Sequence, residues 1–217
     1  MSYSADTFVA DEQPTTAKWN KLWSNDASFN DGTGIGDDTI DSRHYVAGSI
    51  DPEHLASTVW GWEEIGRTTL GSAGDSLSVS FTAKKYLHAR ILLLATGGAI
   101  DGPMRFNSDS GSNYTHRFAN DQAEDTTSTS ASSINLKTSA ATNAIITMDI
   151  MNIAAQEKIW SANANIGSAA GAANVPTRRE MAGKWANTSV QISSIALTNG
   201  GAGDYAIGSE IVVLGHD

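Results

Sequence analysis

The rhythm of hydrophobic and polar positions changes once along this chain. From about residue 61 onward, short runs alternate with a period of two between clusters of turn residues, the texture of an all-β domain. The most apolar run is Tyr86 to Ala95. From Ile91 to Ala95 both of its faces are apolar, which predicts a central strand covered on two sides. Just before it, Leu77, Val79 and Phe81 alternate with serines, as in a half-exposed strand. Met104 and Phe106, then Tyr114, His116 and Phe118, then Trp160, Ala162, Ala164 and Ile166, then Met181, Gly183 and Trp185 repeat that alternation. Ala144 to Ile153 reads as a second strand buried on both faces. Asp121 to Ser133 is Ser/Thr-rich and predicts a long exposed loop. Val190 and Ile192, followed by Ile195 and Leu197, keep the period with a slip of one residue that predicts a bulge. Asn199-Gly200-Gly201 signals a hairpin turn, and Ile207 to Leu214 the last strand. Roughly ten strands at this spacing predict an all-β fold, a jelly-roll-like β-sandwich over residues 61–217.

Residues 1–60 follow another pattern. Trp19, Leu22, Trp23 and Ala27 recur at helical spacing behind Thr15 and Thr16, which supply an N-cap. A helix of about three turns is marginal alone and must dock its aromatic face on something. Asn30 to Asp38 is a glycine-rich loop, and Asp51-Pro52 starts a helical turn. Ile40, Tyr45, Val46 and Ile50 have no periodicity. The segment therefore reads as an extended arm with a short helix, ordered by its partners.

Charge and composition narrow the function. The formal net charge is −10 and the cations are scattered, which argues against nucleic-acid binding. With no cysteine, disulfides and thiolate metal sites are excluded, in keeping with folding in a reducing cytosol. The N-terminus lacks the pattern of a signal peptide, and no apolar run approaches the roughly 20 residues of a membrane helix.

Candidate chemistry is sparse. The five histidines (His44, His54, His88, His116 and His216) show no metal-ligand spacing. Oxygen side chains alternate from Asn107 to Asn113 like a calcium loop, but the closing glutamate is missing and a tight turn explains them. Glu63-Glu64 and the group Asp121, Glu124 and Asp125 read as solvated surface rather than as a glycosidase pair. No nucleophile elbow is present, and the glycine pairs open no helix that would cradle phosphate. Trp60 and Trp62 stand at the arm boundary, where they either seal the arm onto the sandwich or stack on a sugar ring. The sequence thus predicts no catalytic residue, no cofactor and no metal site.

Six stretches carry a resemblance, two of them in the arm. Thr15 to Ile35 and Gly48-Ser49-Ile50-Asp51-Pro52-Glu53-His54-Leu55 resemble the N-terminal segments of tailed-bacteriophage fibre-like virion proteins. Trp62 to Leu70, Met104 to Asn107, Gly183 to Asn187 and Gly203-Asp204-Tyr205 are similar to the β-sandwich domains behind such arms. The resemblance implies a non-enzymatic virion structural protein, a short fibre, spike or capsid decoration. It implies a homotrimer assembled in the bacterial cytoplasm, with the arm bound to other virion proteins and the sandwich facing outward. It implies no catalytic residues, and charge and hydropathy already argue against nucleic-acid binding and membrane insertion. On this reading Trp19, Leu22, Trp23 and Phe29 anchor the arm. The outer loops, through Asn107, Asp109, Asn113, Asp121, Glu124 and Asp125, contact host glycan. The alternatives are a free-standing carbohydrate-binding module, marked by exposed aromatics on one sandwich face, and a polysaccharide-cleaving enzyme, which needs two converging carboxylates. Because residues 1–60 lack core periodicity, an isolated arm fragment is expected to show no cooperative thermal transition, whereas residues 61–217 show one. Calorimetry on the two fragments checks this.

Overall fold

The computed structural model describes residues 15–17, 19–20, 61–137 and 139–217. The chain divides into two units, Met1–Val59 and Trp60–Asp217. In the first, Thr16, Ala17, Trp19 and Asn20 are helical, with the Trp19 N–H donating to the Thr15 carbonyl at 3.1 Å. Leu22, Trp23, Phe29, His44, His54 and the Asp51 turn lie outside the described residues.

The second unit is all-β. Twelve strands form two antiparallel sheets among the described residues: β1 (Glu63–Thr69), β2 (Ser76–Ser80), β3 (Tyr86–Leu93), β4 (Pro103–Phe106), β5 (Tyr114–Asn120), β6 (Thr126–Ala131), β7 (Ile134–Asn135), β8 (Ala144–Met151), β9 (Lys158–Ile166), β10 (Thr177–Trp185), β11 (Ser194–Thr198) and β12 (Glu210–His216). The large sheet has the order β1-β12-β3-β8-β9-β10-β5-β6, and the small one β2-β11-β4-β7. Its core is a jelly roll. The chain passes from sheet to sheet so that β1-β12-β3-β8 faces β2-β11-β4-β7. The β5–β6 and β9–β10 pairs are inserted after β4 and β8, and they extend the large sheet beyond the jelly roll.

Alternation fills the space between the sheets. Leu87, Ala89, Ile91 and Leu93 of β3 point inward with Ile146 and Met148 of β8, and Ile211 and Val213 of β12. Leu77 and Val79 of β2, Met104 and Phe106 of β4, and Ile195 and Leu197 of β11 face them from the small sheet. Trp160, Trp185 and Tyr114 fill the far side, with the Trp185 ring centroid 5.9 Å from that of Phe106. Gly183 leaves room for this: a Cβ there would stand 2.4 Å from Trp160 Cζ2.

Several expectations need correction. Neither β3 nor β8 is covered on both faces, since Leu92 is 37% and Ile145 43% exposed. Their outer faces meet solvent, because the small sheet covers only one side of the large one. Thr126 to Ala131 is edge strand β6 rather than part of a long loop. The hairpin leading into it turns at Asp121 and Gln122, which adopt positive φ (50° and 66°) without a glycine to announce the turn. The slip near Ile192 is not a bulge: β11 starts only at Ser194, behind a segment pinned by the Asn107 side chain, which accepts from the Ser193 and Ser194 N–H groups. Asn199-Gly200-Gly201 turns no hairpin, because β11 and β12 belong to different sheets. Its glycines permit close backbone contact, a Cβ at Gly201 standing 2.2 Å from the Ala99 carbonyl oxygen. Ile207 precedes β12 and is 65% exposed.

Leu93 remains fully buried, so Leu93→Asp places an unpaired carboxylate in the core. Such a charge costs several kcal/mol of a margin of about 5–15 kcal/mol. Loss of the folded state by circular dichroism is expected for Leu93→Asp. Ser78→Asp, on the exposed face of β2, should leave the melting temperature within a few degrees.

Candidate functional site

One face of the large sheet packs on the core and the other is open, and the residues of the open face follow from register. Tyr86, Met151, Ile159 and Lys184 form one row across β3, β8, β9 and β10. His88, Asp149, Ser161 and Ala182 form the next, and Arg90, Thr147, Asn163 and Glu180 a third.

Three shallow depressions mark this face. The first, of about 420 Å³, lies between Trp62, Tyr86, Asp149, Ile159 and Ser161. The second, of about 480 Å³, adjoins it at Ile159 and Ala182 and is bordered by Thr115, Arg117, Thr127 and Lys184. Together they make a continuous track from the start of β1 to the β6 edge. The third, of about 370 Å³, lies around Arg90, Leu92, Ile145 and Val212.

Aromatic rings gather at the head of the track. Trp62 (47% exposed) meets His88 edge-on at 6.3 Å between ring centroids and His216 at 6.0 Å, and Tyr86 (40% exposed) stacks on His216 at 6.4 Å. His88 Nδ1 pairs with Asp149 at 2.7 Å. Further along, Lys184 is held by Glu157 at 2.8 Å and Arg117 by Asp125 at 3.3 Å. Partly exposed rings, a carboxylate and hydroxyls along a track are the chemistry that holds a polyhydroxylated chain, by apolar contact and by hydrogen bonds. The sequence carried the signal in Tyr86, His88 and Arg90, which alternate with buried Leu87, Ala89 and Ile91. The apolar run that follows them obscured the open face.

The loop residues singled out from sequence are placed elsewhere. Asn107 donates to the Gln191 carbonyl and accepts from Ser193 and Ser194, so its amide ties two loops together. Asp109 accepts from the Gly111 N–H, Asn113 Nδ2 and Trp185 Nε1. Burial raises its carboxyl, and these hydrogen bonds outweigh burial and hold it below the ordinary value. Its oxygens thus face donors of the protein, the arrangement of a tight turn. Asp121 accepts from the Arg178 N–H, Asp125 pairs with Arg117, and Glu124 is exposed. The first set precedes β5 and the second follows it, so a whole strand separates them. Trp19 is 59% exposed.

Several polar groups are buried on the inner side. Lys158 Nζ donates to the carbonyls of Gln156 and Asn187, and Lys137 Nζ to those of Ile100 and Ala140. Arg179 lies 3.9 Å over the Phe118 ring and donates to Asn120 and the Asn135 carbonyl. Burial lowers the pKa of all three, that of Lys137 to about 8. Among the described residues no three His, Asp or Glu side chains gather as metal ligands.

Comparison of the chain with protein-family models, with curated proteins and with solved structures finds no match.

His116 offers a pH test of this architecture. It is 5% exposed with Nδ1 unpaired, and its pKa is lowered first by burial and then by the Arg179 charge. Below the ordinary imidazole value of about 6.5 the unfolded chain takes a proton that the folded one resists. Stability is therefore expected to fall as pH drops from about 6.5 toward 5. His116→Phe should flatten that slope in urea titrations across this range.

Proposed function

We propose that this chain is a non-enzymatic virion attachment protein of a tailed bacteriophage, and that its β-sandwich holds host-surface glycan along the open face of the large sheet. The observation that carries the glycan part is the pairing of exposed Trp62 and Tyr86 rings with Asp149 and Ser161 at the head of a track across several strands. Sugar rings present C–H faces to aromatic side chains and hydroxyls to carboxylates, and this track offers both. The acids beside it already have partners, Asp149 the His88 Nδ1 and Glu157 the Lys184 ammonium, as suits groups that orient hydrogen bonds. The virion part rests on the resemblance of Thr15 to Ile35 and Gly48 to Leu55 to fibre-protein arms, which also implies three copies. Weak sites on three copies reinforce one another through avidity. This reading moves the glycan contact from the loops to the sheet.

A free-standing carbohydrate-binding module is the second reading, and the same exposed rings favour it. Solution mass separates the two, since a trimer is expected of the fibre protein and a monomer of the module.

The test is binding of the fluorescently labelled full chain to bacterial cells and to their extracted polysaccharide. Trp62→Ala with Tyr86→Ala should lower binding roughly tenfold or more while leaving thermal unfolding unchanged. Undiminished binding would put the site elsewhere, and reducing ends that accumulate with time would overturn the non-enzymatic reading.

A further inference from the structure

Arg90 stands at the middle of β3 on the open face, exposed, between Val212 of β12 and Thr147 of β8. The other described cations are all engaged. Arg67 binds Glu64 and Glu210, Lys84 binds Glu63 and Asp217, and Arg117, Arg178 and Lys184 each hold an acid. Lys85 lies over the Tyr86 ring, and Arg105, Lys137, Lys158 and Arg179 donate to carbonyls. Only the Arg90 guanidinium, among the described Lys and Arg side chains, makes no hydrogen bond, ion pair or ring contact.

Its surroundings are those of a small site. Leu92, Ile145, Val212 and Leu214 make the apolar part of the third depression, of about 370 Å³. The two acids that share it are already committed. Glu64 accepts from Arg67 at 2.7 and 2.9 Å, and Glu210 accepts from Thr69 at 2.6 Å and pairs with Arg67 at 2.8 Å. The lining holds two acids and two arginines and is neutral as a whole, but Arg67 takes both acids, so the Arg90 guanidinium is left without a partner beside an apolar floor. Arg90 lies one row from His88 and Asp149, so a chain on the aromatic track passes within reach of it.

We propose that Arg90 and this apolar floor form a subsite for a carboxylate-bearing sugar, a hexuronate residue of an acidic polysaccharide. The inference rests on the glycan reading given above and adds the class of glycan. A guanidinium fork matches a planar carboxylate through two parallel hydrogen bonds. Leu92 and Ile145 pack on the C–H face of the pyranose ring. Glu64 and Glu210 oppose a second negative charge, so a singly charged ligand fits best.

The experiment uses the full chain and a panel of uronic-acid-containing bacterial capsular polysaccharides. Each is presented in native form and after its carboxylates have been reduced chemically to primary alcohols. Wild type should bind at least one native polysaccharide about tenfold more tightly than its reduced form, and more weakly as salt rises. Arg90→Gln should lose that difference while keeping its affinity for the reduced form, and Arg90→Lys should fall between. Unchanged melting temperatures establish that the variants fold. Equal affinity of wild type for native and reduced forms would overturn the carboxylate subsite and leave the glycan reading standing. A preference that persists in Arg90→Gln would place the subsite elsewhere and overturn it as well. No binding to either form of any polysaccharide would overturn both.

Discussion

Four strands have to close the inner face of eight. At one end of the sandwich β2 touches β1 and β12, and at the other β7 touches β5. Neighbouring strands lie about 4.8 Å apart, so four of them span about 15 Å, whereas β1 to β5 spans about 29 Å. The deficit is made up by side-chain volume. Trp160, Trp185, Tyr114 and Phe106 are the bulky fillers, clustered where the inserted strands β9, β10 and β5 run on past the jelly roll. The open outer face follows from the same geometry, since among the described strands the only layer packed on the large sheet lies on its inner side.

Bulk alone leaves polar ends to satisfy, and this protein does so with cations under loops. Lys137, Lys158 and Arg179 are fully buried, and each donates to carbonyl or amide oxygens. Each stem packs as an apolar side chain while its head ties a connecting segment to the sandwich. The Lys158 clasp joins the turn before β9 to Asn187, just after β10. Asn152 works in the same way with a neutral amide, donating to the Lys84 and Ile192 carbonyls and accepting from the Ile192 N–H.

The all-β class and most inward positions could be read from alternation alone. Trp160 to Ile166 and Met181 to Trp185 point inward as their period demands, and continuing that period backward brings Lys158 and Arg179 to the same face. Two things were hidden for physical reasons. Leu92 and Ile145 are apolar yet face solvent, so composition suggested two-sided burial where the topology gives one. Strand β6, Thr-Thr-Ser-Thr-Ser-Ala, has no apolar face because it is an edge held by backbone hydrogen bonds to β5. The open-face track was legible only in part. Its members come from six strands, and their adjacency exists only once the order of the large sheet is known.

The pairing of the first strand with the last has a mechanical consequence. Glu63 stands opposite Gly215, and His216 opposite Tyr86, so the place where the chain enters the sandwich lies beside the Trp62 and Tyr86 rings. A pull applied at residue 62 loads the β1–β12 ladder first and reaches β3 through the β12–β3 ladder, a path two strand spacings wide. The tryptophan-filled interior at the far side of the sheet lies off that path. A force at the entry point thus meets edge strand β1 before any strand that carries the inner aromatic cluster.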